Sequence, residues 1–405
     1  MKKVLAVLLT VMLCMASVAA FAETTIQWFT PNWDEPESRE MVAEFEAANP
    51  DIKVELVITD WESYKARATA ALSDNNAPEL YTVLTTDVVP FAQIGLLEPL
   101  NERGAAAGID FSDLLPSAVA IASIGDTVYG IPFRHDGSGI YYNVDMLKEA
   151  GYDSFPTTWA EMVEMSKKLT KDGVYAFAWP LGNESEAVTR LVQQLYTYGG
   201  DVLAEDGKTC ILNSDAAKAA LTNIVSSIQE GYASPSSLEL DNTKMRNLFG
   251  TGKLAFNLTG PFDTDTLLAD YPDLNFATAV IPGPDGMGCT TANGWTVIMA
   301  SKAKEENKDA AAKFLAYITT PENQSRLTDS FPASYTALAY EQYSSKYLKP
   351  FGDQLENSRA EPTYTRWAEM APIIYEYIQY AVAGTMSVDE ACENMANDVT
   401  ALLSY

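Results

Sequence analysis

Phe45-Glu46-Ala47-Ala48-Asn49-Pro50-Asp51-Ile52-Lys53-Val54-Glu55-Leu56-Val57 contains a helix end, a stop and a strand start in one short stretch. Upstream, Ser38 to Ala48 is amphipathic, with Met41, Phe45 and Ala48 on one face, which predicts a helix. Asn49-Pro50-Asp51 ends it, because proline lacks the amide hydrogen and disfavours helical geometry in the residue before it. Ile52 to Val57 then alternates apolar and polar side chains, the period of a strand. Working outward, Ile26-Gln27-Trp28-Phe29 reads as a strand and Pro31-Asn32-Trp33-Asp34 as a turn-rich loop. Trp61 to Leu72 is helical by period, and Leu80 to Leu84 is a strand. This βαβαβ order predicts an α/β fold with a largely parallel sheet and helices on both faces.

A second compact unit begins near residue 135. Thr158-Trp159-Ala160-Glu161 and Ser387-Val388-Asp389-Glu390 are capping boxes, opening helices that run to Leu169 and Leu403. Val188 to Tyr198, Ser214 to Glu230 and Asp309 to Ile318 are also helical by period. No repeat or low-complexity linker separates the units, so the chain is expected to pass between them by short ordered crossings.

Met1-Lys2-Lys3, the uncharged apolar run Val4 to Val18 and Ala20-Phe21-Ala22 have the three parts of an export signal cleaved after Ala22. The apolar run is too short for a convincing membrane span. Cys14 follows Val11-Met12-Leu13, without the small residue that lipid attachment requires just before it. The expected location is the periplasm, or the cell surface or exterior. The chain has 27 basic and 55 acidic residues, a net charge of −28, and loss of Lys2 and Lys3 takes it to −30. Nucleic acid and anionic lipid are repelled by such a surface and are excluded as partners.

Cys210, Cys289 and Cys392 have no metal-ligand spacing, and the sequence does not choose among their possible pairings. His135 is the one histidine, so a histidine metal cluster is excluded. Gly250-Thr251-Gly252-Lys253 is followed by Leu254, which does not complete a phosphate loop. No catalytic, metal or cofactor site is read. Trp33, Trp179, Phe262, Trp295 and Trp367 stand in loop-like contexts. Each ring is either buried in a core or part of a stacking surface for a flat neutral ligand such as a sugar.

Phe45 to Val54 also resembles the signature of family 1 extracellular solute-binding proteins, the maltose-binding-protein-like group serving ABC importers. The resemblance continues through Ala92-Gln93-Ile94-Gly95-Leu96-Leu97-Glu98-Pro99-Leu100, Tyr129-Gly130-Ile131-Pro132-Phe133, Tyr141-Tyr142-Asn143 and Pro156-Thr157-Thr158-Trp159. Tyr198-Gly199-Gly200, Gly252-Lys253-Leu254-Ala255-Phe256, Gly260-Pro261 and the Gly384 to Leu403 tail complete it. It implies two α/β lobes joined by a hinge, with ligand in the cleft between them. The first lobe would take residues 23–134 and 283–329, the second 135–282 and 330–405. Asn32, Trp33 and Asp34 would then edge the cleft. Thr86 and Asp87 fall where the family's maltodextrin binders have an aspartate and an arginine, and Val83 where they have a tryptophan, so maltose itself is put in doubt. Asp136 falls on a ligand glutamate, with His135 beside it, and Phe262 on a stacking tryptophan. Trp179, Asn183, Glu184, Trp295 and Trp367 are placed by looser local context. Arg134 is the one basic residue so placed. The resemblance implies a monomer that captures a carbohydrate, a disaccharide or oligosaccharide, and hands it to an ABC permease without a cofactor. A polyamine, a glycerol phosphate, or the substrate of a secreted glycoside hydrolase are the alternatives.

Overall fold

A computed structural model describes residues 23–364 and 366–404; the export signal, its cleavage site and Cys14 lie outside the described residues. β1 (Thr24–Pro31), β2 (Ile52–Thr59) and β3 (Leu80–Leu84) pair in parallel around β1, joined by helices Glu35–Ala48 and Trp61–Leu72. The first helix starts three residues before its apolar period does. Glu35 and Pro36 occupy its first turn, where a carboxylate suits the helix dipole and the missing amide hydrogen costs nothing. A small hairpin of β4 (Ser123–Ile124) and β5 (Thr127–Val128) precedes β6 (Gly130–Asp136). The sheet is not parallel throughout: β10 (Thr290–Met299) runs antiparallel to both β3 and β6. Its core holds Trp28, Tyr81, Phe45 and Phe314; the Trp28 indole donates to Thr82 Oγ1 at 3.0 Å, so even its polar atom is partnered.

The second unit is built on β7 (Gly139–Asn143), paired antiparallel with β8 (Phe256–Thr259) and β9 (Phe276–Ala279). Helices Trp159–Leu169, Glu184–Thr197, Asp215–Gln229, Trp367–Val382 and Val388–Leu403 cover it. The side chains of Thr158, Asn183, Ser214 and Ser387 cap the N-termini of four of them, and Ser387 with Glu390 closes a reciprocal capping box. Cys210, Cys289 and Cys392 are free and buried, and burial pushes the Cys210 and Cys392 thiols up to about 11 and about 12. They are therefore unreactive thiols at neutral pH.

Three stretches of chain join the lobes. The β6–β7 passage is the first. The second is β10, whose Thr290–Ala292 pair with β11 (Ser358–Ala360) and whose Asn293–Ile298 pair with β6. The third runs beside β6, where Phe331 O accepts from His135 N at 2.9 Å and Phe133 O from Ala333 N at 3.2 Å. The hinge is thus a small sheet.

Candidate ligand-binding cleft

β6 arrives at the hinge with alternate side chains on opposite faces. Arg134 lies opposite Trp295, and Asp136 opposite Asn293, so these four share the cleft face. His135 points to the other face, opposite Gly294. A Cβ at Gly294 would stand 1.9 Å from Arg134 O, so only glycine permits this approach of strands. The register slips by one residue between Trp295 and Thr296, a bulge that sets how Arg134 is aimed.

Arg134 is the centre of the site. Its Nε lies 2.5 Å from Asp136 Oδ2 and its Nη1 2.5 Å from Asp329 Oδ1, on the third crossing. The same guanidinium stands 5.3 Å from the centroid of the Phe262 ring, contributed by the second lobe. The Arg134 and Asp136 side chains are only 12% and 14% exposed. Burial works against the charge on Arg134, yet Asp136 and Asp329 hold its proton more tightly than usual. Asp34, from the loop after β1, has its carboxyl pushed up to about 7, first by burial and then by Asp329, with Arg134 pulling the other way. Near neutral pH Asp34 therefore exists in both forms and can donate or accept a hydrogen bond.

An aromatic wall adjoins this polar centre. Trp33 is 40% exposed and meets Trp295 edge-on, with ring centroids 4.5 Å apart and planes at 67°. Trp295 continues into a groove lined by Tyr64, Leu84, Phe91 and Asp87, whose carboxylate lies 3.0 Å from Lys65 Nζ. Thr86 is buried in the first turn of the adjoining helix Thr85–Gln93. Asn32 is exposed beside Trp33, and its carbonyl accepts from Glu35 N.

Other expected site residues lie elsewhere, for stated reasons. His135 is buried on the far face of β6, 3.2 Å from Ser117 Oγ, and burial holds its pKa below the ordinary value. Trp179 is a core ring: it is 1% exposed, packs edge-on to Phe177, and donates to Ser227 Oγ at 2.8 Å. Trp367 packs against the second core and Tyr364. Asn183 spends its side-chain oxygen on capping, accepting from Glu186 N at 3.1 Å, and Glu184 stands exposed beside it.

Several residues join the site that sequence reasoning did not select. Asp329 is 195 residues from Arg134 in the chain and has no local motif. Glu361 accepts from Asn293 Nδ2 at 2.8 Å and Thr189 Oγ1 at 3.0 Å, tying the second lobe to β10, and burial raises its pKa. Arg246 and Asp263 pair at 2.9 Å, and Asp263 is the next residue after Phe262. Asp263 carried one readable signal, an acid two residues after a Gly-Pro turn at a strand end. Among the described residues no cluster of acids, histidine and cysteines is placed to hold a metal ion.

A model of the bacterial extracellular solute-binding protein family matches residues 32–325 of this two-lobed chain. The chain belongs to that family. A putative binding protein of Brucella abortus is 26% identical over 375 residues, spanning 91% of this chain and 90% of its own length. The lactose-binding protein of Rhizobium radiobacter is 27% identical over 326 residues, 76% of this chain and 74% of the relative. In fold, this solute-binding protein matches the sugar-binding protein MalE of Xanthomonas citri with a TM-score of 0.82 and 24% identity, over 94% of this chain and 98% of the other. Among the described residues of the solute-binding protein, no helix is long and apolar enough to cross a membrane.

Proposed function

We propose that this solute-binding protein captures a neutral di- or oligosaccharide between its lobes and delivers it unchanged to an ABC permease. The observation that carries the reading is the Arg134 centre, where one guanidinium meets Asp136, Asp329 and Phe262 in a single hinge-side group. Mixed acceptors and donors beside the exposed Trp33 ring suit a sugar, whose C–H faces pack on aromatics and whose hydroxyls both give and take hydrogen bonds. Asp34, Asp136 and Arg134 would bond hydroxyls, and Trp33, Trp295 and Phe262 would flank the ring. Asn32, Thr86 and Asp87 would edge the cleft. The likeness to a lactose-binding relative supports the same class of ligand.

The protein would act as an exported monomer, cut after Ala22. The proposed division is 23–134 with 283–329 against 135–282 with 330–405. We set its second boundary past Cys289 rather than at 283, since Gly283 O accepts from Trp159 N and Cys289 N donates to Thr197 Oγ1. Capture would follow closure of the lobes about the three crossings. Thermal melting with lactose, maltotriose and diacetylchitobiose tests the reading, since ligand at 100 times Kd adds about 2.7 kcal/mol. Stabilisation by a sugar that is recovered unaltered is expected. Stabilisation by spermidine or glycerol 3-phosphate alone, or shortened sugar products, would overturn it.

A further inference from the structure

Behind Phe262, three helices meet the end of β8, and their polar side chains are left short of partners. Helix Glu184–Thr197 brings Arg190, helix Asn242–Gly250 brings Asn242 and Arg246, and helix Asp263–Asp270 brings Asp263. β8 presents Asn257 and Thr259 on one face. Arg190 and Asp263 stand near enough to feel each other's charge. Arg246 Nη1 lies 2.9 Å from Asp263 Oδ1, Arg190 Nη2 donates to Leu258 O at 3.1 Å, and Asn242 N donates to Glu186 Oε2 at 2.8 Å. Yet Arg190 Nε, Arg246 Nε, Asn242 Oδ1 and both amide atoms of Asn257 have no hydrogen-bond partner, while the Thr259 hydroxyl and the Asp263 carboxylate reach only each other and Arg246. Asn257 and Thr259 are 0% exposed and Asp263 1%. Buried polar atoms are almost always partnered, so this many in one place point to a polar occupant.

The chemistry narrows what the occupant is. Two guanidinium groups oppose a metal ion or an amine, and the Asp263 carboxylate opposes a phosphate. Unused donors and unused acceptors stand side by side, which matches hydroxyl groups, each able to give one hydrogen bond and accept others. The place is right for the cleft. Asp263 follows Phe262 in the chain and feels the charge of Asp329, and the Phe262 ring folds back over Gly260, where a Cβ would come within 2.1 Å of it.

We propose that Asn257, Thr259, Asp263 and Arg246 form a deep polar subsite of the second lobe, entered past Phe262, that takes a hydroxyl-bearing arm of the captured sugar. The subsite rests on the carbohydrate reading above, and it makes a separate demand. Its polar atoms serve the ligand rather than the fold, so removing them should not weaken the ligand-free protein.

Thr259→Val and Asn257→Leu keep side-chain size and delete the polar atoms. Ligand-free melting temperature should stay level or rise in Asn257→Leu, whose amide atoms have no partner in the ligand-free protein. Calorimetric affinity for whichever of lactose, maltotriose and diacetylchitobiose the wild type binds should fall about three- to tenfold per variant. A lower ligand-free melting temperature in Asn257→Leu overturns the subsite whatever the affinity does, because the amide atoms then support the fold. Affinity within twofold of wild type in both variants overturns it as well. If the wild type binds none of the three sugars, the carbohydrate reading falls and the sugar subsite with it, whereas sugar binding with a melting drop in Asn257→Leu removes the subsite alone.

Discussion

Replacing Arg134 with methionine tests the centre of the site most sharply. The side chain would keep its length and lose its charge, leaving Asp136 without its 2.5 Å partner in surroundings where only 14% of that side chain is exposed. Stripping one member from a buried ion pair typically costs about 3–5 kcal/mol, because the remaining charge stays desolvated. Asp329 adds little to this, since its side chain is 53% exposed and water screens it. At roughly 2–4 °C per kcal/mol for domains of 150–250 residues, melting should drop by about 6–20 °C at pH 7.5. The loss should shrink at pH 5, where carboxylates deprived of their cation can be neutralised by protons instead. Differential scanning calorimetry at both pH values measures it. A drop of under ~2 °C, equal at the two pH values, would refute the buried-pair reasoning on which that magnitude rests.

Other expectations follow from the same geometry. Asp34 holds its proton up to about pH 7 in the folded protein against an ordinary 3.8, so its contribution to stability is complete below about pH 4 and disappears as pH rises through 7. Asp34→Asn should flatten the fall in melting temperature between pH 5 and 8; parallel slopes for variant and wild type would show that Asp34 does not titrate there. His135 is buried neutral, so its NMR titration midpoint should lie below 6.5, and a midpoint above that would place it beside an unscreened carboxylate. Phe262→Ala should weaken sugar binding about three- to tenfold while melting moves by under ~3 °C, and unfolding with normal affinity in the folded fraction would make the ring core packing. Trp179→Ala should do the reverse, with about 3–5 kcal/mol lost from stability and sugar affinity retained in the folded fraction.

The fold was legible where its determinants are local. The Asn49-Pro50-Asp51 stop and the alternation after it placed β2 and its preceding helix, and the Ser387 capping box placed the last helix. The antiparallel β10 was not legible, because its pairing with β3 joins Trp295 to Leu84 across more than two hundred residues. The site divides in the same way. Trp33 and Trp179 look alike in sequence, both in loops rich in turn residues, and only tertiary packing leaves one 40% exposed and the other 1%. His135 could have been resolved from the start: on a strand, if Asp136 faces the cleft, its neighbour faces away. Asp329 and Glu361 could not, since their partners Arg134 and Asn293 lie at distant positions and nothing local marks them.

A crystal structure with the tightest-binding sugar among lactose, maltotriose and diacetylchitobiose, set beside a ligand-free one, tests the central claim most directly. It should show the sugar between the lobes, within hydrogen-bond distance of Arg134 and Asp136 and against Trp33 or Phe262, with the lobes closer together than in the ligand-free crystal. Sugar bound away from the hinge crossings, or lobes that keep the same separation with and without it, would contradict capture by closure around Arg134.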